Sequence, residues 1–224
     1  MKELIEICLE DAESVIRAEE GGADRVELCG DLFEGGTTPT LGTFLTARRH
    51  TSIKINVMIR PRGGDFAYSD IEFETMLEDV RIFKENGADG IVFGILNGDG
   101  TIDRDRSEKI IEAARPLPVT FHRAFDMTKD LFSSLETLID MGVDRVLTSG
   151  GEPTVMEGIL NLKALVEKAG DRIIVMPGCG INEKNFSYLK ETVKAKEYHV
   201  YLPVEEESRM EWRPGHIYMG GMLR

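Results

Sequence analysis

The sequence predicts a single-domain (β/α)₈ barrel, and three observations lead to that fold. A short motif recurs three times, eight apolar runs of strand length follow one another, and the segments between them carry helical patterns. A chain of 224 residues can form one large α/β domain with a sizeable core. The alternative is an open doubly wound sheet, but no Gly-x-Gly-x-x-Gly follows the first strand. The barrel is therefore favoured.

The recurring motif occupies Gly21–Cys29, Asn86–Gly94 and Met141–Ser149. Each copy has Gly-x-Asp, one further residue and then a short apolar run. The glycine suits the position after a helix, where positive φ is tolerated, and the apolar run suits a buried parallel strand. Successive copies are spaced like two βα units, so one further strand is expected between them.

Eight strands are predicted on this basis, and they are Leu4–Cys8, Arg25–Cys29, Ile53–Ile59, Gly90–Phe93, Pro118–His122, Arg145–Thr148, Ile173–Met176 and Tyr198–Tyr201. Among the helices, one begins at a capping box, Ser69-Asp70-Ile71-Glu72, and ends at Gly87. Helical patterns also cover Leu131–Met141 and Val155–Ala169. Strands alternating with helices in this number indicate a closed barrel.

The chain after the eighth strand lacks this periodicity. We expect a barrel over residues 1–201 and an irregular tail over residues 202–224, with the final helix missing or degenerate. A missing helix would leave an apolar flank of the barrel to be covered by the tail or by another subunit, so a homo-oligomer is expected.

Composition narrows the classes of partner and location. The formal net charge of −13 opposes binding to nucleic acid or to anionic lipid. The N-terminus carries acids where a signal peptide needs an apolar core, and no apolar run is long enough to span a membrane. The three cysteines are odd in number and far apart, so we expect reduced thiols and a cytoplasmic location.

Chemistry-bearing side chains collect where the predicted strands end, which is where barrel enzymes carry their active sites. The segment Val119–Asp126, VTFHRAFD, passes from an apolar strand directly into titratable residues. His122 is a candidate general acid or base, with Glu27 or Asp126 as its orienting partner. An anion site is predicted from Arg60, Arg62, Arg123, Ser149, Gly150, Gly151, Gly178 and Gly180.

Each of these residues also has a purely structural interpretation. Glu6 and Glu27 can be interior acids balanced by Arg60, and buried free cysteines commonly fill a core. His199, next to Val200 and Tyr201, can be a core histidine with its hydrogen bonds satisfied. The anion hypothesis therefore depends on several of these side chains meeting at one end of the barrel.

Four motifs resemble the CutC family of copper homeostasis proteins: GGADRVELC, VMIRPRGGDFAYSD, VTFHRAFDM and RVLTSGG. The resemblance runs from about Glu6 to about His199. It implies a (β/α)₈ barrel, a cytoplasmic location and copper handling through cysteines. The chain departs from the family's pattern at GCGIN, which adds Cys179, and from Tyr201 onward.

Two functional hypotheses follow. In the first, Cys8 and Cys29 bind Cu(I), because both stand in a Glu-x-Cys pattern at a strand end and soft thiolates suit this ion. In the second, the protein is a metal-independent enzyme, or a binding module, for a small phosphate or carboxylate ligand at the barrel mouth. Whether any reaction is catalysed is left open by the sequence.

Overall fold

The computed structural model describes residues 3–204, 207–212 and 214–217. Its eight strands are β1 (Leu4–Leu9), β2 (Arg25–Leu28), β3 (Lys54–Met58), β4 (Gly90–Phe93), β5 (Val119–Phe121), β6 (Arg145–Thr148), β7 (Ile174–Pro177) and β8 (Glu197–Val200). Its helices are α1 (Ala12–Glu20), α2 (Leu41–His50), α3 (Asp70–Glu85), α4 (Arg104–Ala114), α5 (Leu131–Asp140), α6 (Ile159–Ala169) and α7 (Phe186–Val193). Short 3₁₀ helices lie at Leu32–Glu34 and Arg123–Met127.

The strands form one parallel sheet in the order β7-β6-β5-β4-β3-β2-β1-β8. β7 and β8 meet through an isolated parallel bridge between Gly178 and His199, so the sheet is a nearly closed barrel. The predicted fold class is therefore confirmed. Within the described residues after β8 there is no helix, also as predicted. The division of the chain at residues 201 and 202 stays a prediction, since part of the tail lies outside the described residues.

The recurring Gly-x-Asp motif has a common structural role. Its glycines follow α1, α3 and α5 with positive φ, at +83° for Gly22, +90° for Gly87 and +72° for Gly142. Each motif aspartate accepts a hydrogen bond from the backbone N–H of the neighbouring odd-numbered strand. The pairs are Ile5 to Asp24 at 3.0 Å, Ile55 to Asp89 at 2.9 Å and Val119 to Asp144 at 2.8 Å. The repeat thus fastens β1 to β2, β3 to β4 and β5 to β6.

Most predicted boundaries differ slightly from the structure. β4 and β6 have the predicted limits, whereas Cys29 and His122 are the first residues after β2 and β5. The capping box at Ser69 is present, with both of its hydrogen bonds formed. The predicted helix Val155–Ala169 begins only at Ile159, because residues 155–158 form turns before it.

The apolar core lies between the sheet and its surrounding helices, as shown by fully buried Val15, Phe44 and Phe83. The interior of the barrel, by contrast, contains charged side chains. Arg25 on β2 and Arg145 on β6 both contact Glu197 on β8, although neither strand neighbours β8. These contacts cross the inside of the cylinder. None of the described helices is long and apolar enough to cross a membrane.

Candidate functional site

Two thiols meet on the adjacent strands β1 and β2. Cys8 pairs with Glu27 in the strand register, and Cys29 follows two residues later on the same side of the strand. The Sγ atoms of Cys8 and Cys29 are 3.9 Å apart. Oε2 of Glu27 lies 3.5 Å from the Cys8 sulfur and 3.4 Å from the Cys29 sulfur. Both predicted metal-binding cysteines are therefore in one cluster, and Glu27 joins it.

His199 completes this cluster from β8. The register pairs it with Glu6 on β1, and its Nδ1 lies 2.9 Å from Glu6 Oε1. Its Nε2 is 3.7 Å from Oε2 of Glu27. One ligand atom each from Cys8, Glu27 and His199 lies within 4.8 Å of the others. We call Cys8, Cys29, Glu27 and His199 the thiol cluster.

The thiol cluster is buried, and its members shift one another's pKa values in opposite directions. The hydrogen bond with Cys29, helped by His199, lowers the pKa of Cys8 to about 5 despite burial. The contact with Cys8 and burial raise the pKa of Cys29 well above its ordinary value. Burial raises the pKa of Glu27 to about 8. One thiolate and one thiol therefore share the cluster at neutral pH.

The histidine supplies the compensating charge. Burial alone would lower the pKa of His199, but the negative charges of Glu27 and Cys8 and the hydrogen bonds with Cys8 and Glu6 raise it well above its ordinary value. An imidazolium beside a thiolate is the arrangement that keeps a cysteine deprotonated in proteins. The thiol cluster thus holds Cys8 as a thiolate, which can act as a nucleophile or a metal ligand.

A network of paired charges supports the thiol cluster from inside the barrel. Burial opposes the ionised form of Glu6, but His199 and Arg25 lower its pKa to about 2. Glu6 also accepts from Asn56 Nδ2 at 3.1 Å. Glu197 accepts from Arg25 Nη2 at 2.6 Å and from Arg145 Nε at 2.9 Å. Each buried guanidinium in this network faces a carboxylate, as burial of charge requires.

The predicted catalytic histidine lies directly after β5, which β4 and β3 separate from the strands of the thiol cluster. His122 is buried, its Nδ1 accepts from the Ala124 backbone N–H at 3.1 Å, and its ring lies 5.1 Å from the Phe66 ring. Burial, followed by the nearby charge of Arg60, lowers the pKa of His122 to about 3. It is therefore a neutral imidazole. Of the two predicted orienting partners of His122, Glu27 contacts the other members of the thiol cluster, and Asp126 contacts the turn after β6.

Asp126 occupies the glycine turn after β6. Its Oδ1 accepts from Thr148 Oγ1 at 2.5 Å, from Ser149 N at 3.1 Å and from Gly151 N at 3.0 Å. Its Oδ2 accepts from Arg123 Nε at 2.8 Å and from the Ser149 hydroxyl at 3.0 Å. The protein's own carboxylate thus accepts from three of the residues predicted for an external anion, Arg123, Ser149 and Gly151.

The remaining predicted anion-site residues have internal partners too. Gly150 N donates to Thr148 Oγ1 at 2.9 Å, and Gly178 N donates to the Thr148 carbonyl at 3.0 Å. Gly180 accepts from the side-chain amide of Asn185 at 2.7 Å. Arg62 contacts Glu72 at 2.5 Å and Asp65 at 3.1 Å, which folds the β3–α3 loop.

Arg60 holds loops through backbone oxygens. Its Nη1 donates to the carbonyls of Glu34 and Gly36 at 2.8 Å each, and its Nη2 to that of Gly64 at 2.9 Å. Its guanidinium carbon lies 5.1 Å from the centre of the Phe66 ring. Arg60 and His122 therefore both contact the Phe66 ring.

Sequence reasoning did not assign a functional role to His199 or to Glu6. The pattern that identifies them is alternation: Glu6 and Cys8 on β1, and Glu197 and His199 on β8, stand two residues apart and so face the same side. No sequence pattern assigns a functional role to Tyr68, in the FAYSD stretch, either. Only the pairing of β8 with β1 brings His199 to the thiols.

Comparison with known proteins identifies the family to which this chain belongs. The sequence profile of the CutC family matches residues 3–202. The human copper homeostasis protein cutC homolog is 48% identical over 220 residues, covering 98% of this chain and 81% of the human protein. The CutC family protein of Parabacteroides distasonis is 48% identical over 224 residues, covering 100% of this chain and 92% of that protein.

Solved structures give the same relationship. The structure of a copper homeostasis protein CutC from Streptococcus agalactiae matches with a TM-score of 0.83 at 38% identity, covering 88% of this chain and 98% of that one. Phosphoribosylanthranilate isomerase from Thermotoga maritima, at 13% identity and a TM-score of 0.55, covers 89% of this chain and 87% of its own and shares only the fold. By sequence and by structure, the chain belongs to the CutC family of copper homeostasis proteins.

Proposed function

We propose that the protein binds Cu(I) through the sulfurs of Cys8 and Cys29 and takes part in copper homeostasis by holding the ion as cargo. The observation that carries this proposal is the distance of 3.9 Å between the two sulfurs on neighbouring strands. Soft thiolates are the ligands that Cu(I) prefers. The copper homeostasis proteins with which the chain shares nearly half its residues support the same ion.

The donor set fits a cuprous ion. Two metal–sulfur bonds of roughly 2.3 Å separate their sulfurs by at most about 4.6 Å. The observed 3.9 Å is within that span, so one ion can bridge both sulfurs in a bent arrangement. A bent arrangement leaves one side of the ion for a third donor, and His199 is the nitrogen donor of the cluster.

Glu27 and His199 have a second role in this proposal. Metal ligands must be deprotonated, and binding releases their protons. The contacts with Cys29 and His199 that lower the pKa of Cys8 to about 5 leave that sulfur ionised before the ion arrives. Glu27 Oε2 accepts a hydrogen bond from the Cys29 thiol at 3.4 Å, and the proton of that thiol is released when the ion binds.

The proposal is tested by titrating the reduced protein with Cu(I) against a competing chelator. Cys8→Ser or Cys29→Ser should weaken binding at least about a hundredfold, since loss of outer-shell partners alone costs 10- to 100-fold. The matched control is Cys179→Ser. Cys179 is the remaining cysteine, and its sulfur contacts the Pro153 carbonyl at 3.2 Å in the turn after β7. Equal affinities in the wild type and in both cluster variants would refute the proposal.

A cytoplasmic location and a homo-oligomer belong to the same proposal. A reducing compartment keeps Cys8 and Cys29 as thiols, as Cu(I) binding requires. Tyr201, Leu202 and Val204 follow β8 with exposed apolar side chains, which is where a second subunit would bind. Light scattering of the purified chain measures the assembly size, and a mass of one chain would refute the oligomer.

A further inference from the structure

One buried arginine lacks the carboxylate that the others have. Arg25 and Arg60 are both 5% exposed, and Arg145 is 8% exposed. Arg25 and Arg145 contact glutamates, whereas Arg60 has no carboxylate oxygen within 4.0 Å among the described residues. Its partners are three backbone carbonyls. Burying a charge without a counter-charge costs desolvation free energy, so an anion bound beside this guanidinium would stabilise it.

Three buried polar atoms on Arg60 and on residues near it have no hydrogen-bond partner. Within the described part of the chain, Nε of Arg60, Nε2 of His122 and the hydroxyl of Tyr68 are buried and have no hydrogen-bond partner. Nδ1 of His122 accepts a hydrogen bond from Ala124, so the proton of the neutral ring lies on Nε2. Arg60 Nε and His122 Nε2 are therefore both N–H donors, and the Tyr68 hydroxyl is a third.

The three donors belong to one place at the C-terminal ends of β3 and β5. The Phe66 ring lies 5.1 Å from the guanidinium carbon of Arg60 and 5.1 Å from the His122 ring. Tyr68 follows on the same loop. Burial raises the pKa of its hydroxyl to about 12, and the nearby positive charge of Arg60 opposes this increase. Phe66 is half-buried, and its ring contacts both Arg60 and His122.

We propose that Arg60, Tyr68 and His122 form a binding site for the oxyanion of a small carboxylate or phosphate group, covered by the side chain of Phe66. The anion would accept from the three unused donors and neutralise the guanidinium. Arg62, Arg123 and the Ser149–Gly151 turn are left out of the site because Arg62 Nε, Arg123 Nε and Gly151 N already donate to internal acceptors.

This site is separate from the proposed copper site at the thiol cluster. Its residues follow β3 and β5, whereas the thiol cluster lies on β8, β1 and β2. A double variant, Cys8→Ser with Cys29→Ser, should therefore keep its anion affinity. Retention of anion binding in that variant distinguishes failure of one proposal from failure of the other.

The test is calorimetric titration of the metal-free protein with acetate and, in a separate arm, with inorganic phosphate, at constant ionic strength set by chloride. Saturable binding is expected in the wild type. Tyr68→Phe, which removes one oxygen and keeps the ring on Arg62, should weaken binding roughly tenfold or more, because a hydrogen bond to a charged group is lost.

The matched control is Tyr198→Phe. Tyr198 is also buried with an unpartnered hydroxyl within the described residues, but it packs on Phe186 at 5.2 Å, beside β8. Its loss should leave affinity unchanged. Saturation by acetate identifies a carboxylate site, and saturation by phosphate alone identifies a phosphate site. No saturable binding of either anion, or equal weakening by both tyrosine variants, would overturn the proposal.

Discussion

The two sides of this barrel treat buried charge differently. On the β8–β1–β2 side, the buried ions are matched: Arg25 and Arg145 face Glu6 and Glu197, and His199 faces Cys8 and Glu27. On the β3–β5 side, Arg60 is buried beside a neutral His122, and among the described residues its guanidinium donates to carbonyls and contacts no carboxylate. The first side is electrostatically complete before any ligand arrives. The second has a buried guanidinium that the proposed anion would neutralise.

The charge balance of each side determines which kind of ion it favours. A site whose charges already balance accepts a soft cation by exchanging protons for metal at its thiols, with little change in net charge. A site with one uncompensated guanidinium gains from a monoanion. We therefore propose that one barrel carries two sites of opposite preference.

Removing a charge from the matched side should have the largest effect. Arg25→Met leaves Glu6 and Glu197 buried without their shared partner, which should lower the free energy of unfolding by about 3–5 kcal/mol. Urea denaturation measures this. The matched control is Arg81→Met, since Arg81 also contacts two glutamates but is 55% exposed, and the change there should be below about 1 kcal/mol. Equal effects would contradict a special role for the buried pairs.

Acidification should expose the buried neutral histidine of the unmatched side. The pKa of His122 is lowered to about 3, below its unfolded value near 6.5, so the unfolded chain binds more protons and stability falls as pH drops below about 6.5. Between pH 7 and pH 5 the loss from this group should be about 2 kcal/mol.

His122→Asn isolates that contribution, because asparagine can still accept from Ala124 but does not titrate. Urea denaturation in piperazine buffer, free of carboxylates, should give the variant a shallower loss of stability by about 2 kcal/mol over the same pH interval. Parallel pH profiles for the wild type and the variant would show that His122 is not buried as a neutral ring.

The smallest effect on stability should come from adding a methyl group at Gly94, which packs against the His122 ring. A Cβ at Gly94 would lie 2.5 Å from His122 Cε1 and 2.8 Å from Ala124 Cβ, so Gly94→Ala should cost at least about 1 kcal/mol through overpacking. Gly98→Ala, in the same loop, meets nothing within 4 Å and should change stability by less than about 0.5 kcal/mol. Thermal denaturation compares the two, and an unaffected Gly94→Ala would mean that the His122 ring can move aside.

Much of the architecture was predictable because it depends on local patterns. The Gly-x-Asp repeat, the apolar strand runs and the Ser69 capping box each specify their element within a few residues of sequence. The meeting of Cys8 and Cys29 was also predictable, since two Glu-x-Cys patterns on consecutive parallel strands face the same way. Less predictable was the start of α6, where turns replace the expected first helical residues.

Local patterns in the sequence specify the barrel, its eight parallel strands, the absence of a helix in the described residues after β8 and the pair of thiols. Which side chains share a site depends on the tertiary structure. His199 reaches the thiols because closure of the barrel pairs β8 with β1, and Asp126 turns to the β6 glycines instead of to His122. These contacts join residues far apart in sequence, so no local pattern encodes them, and the balance of buried charges selects among them.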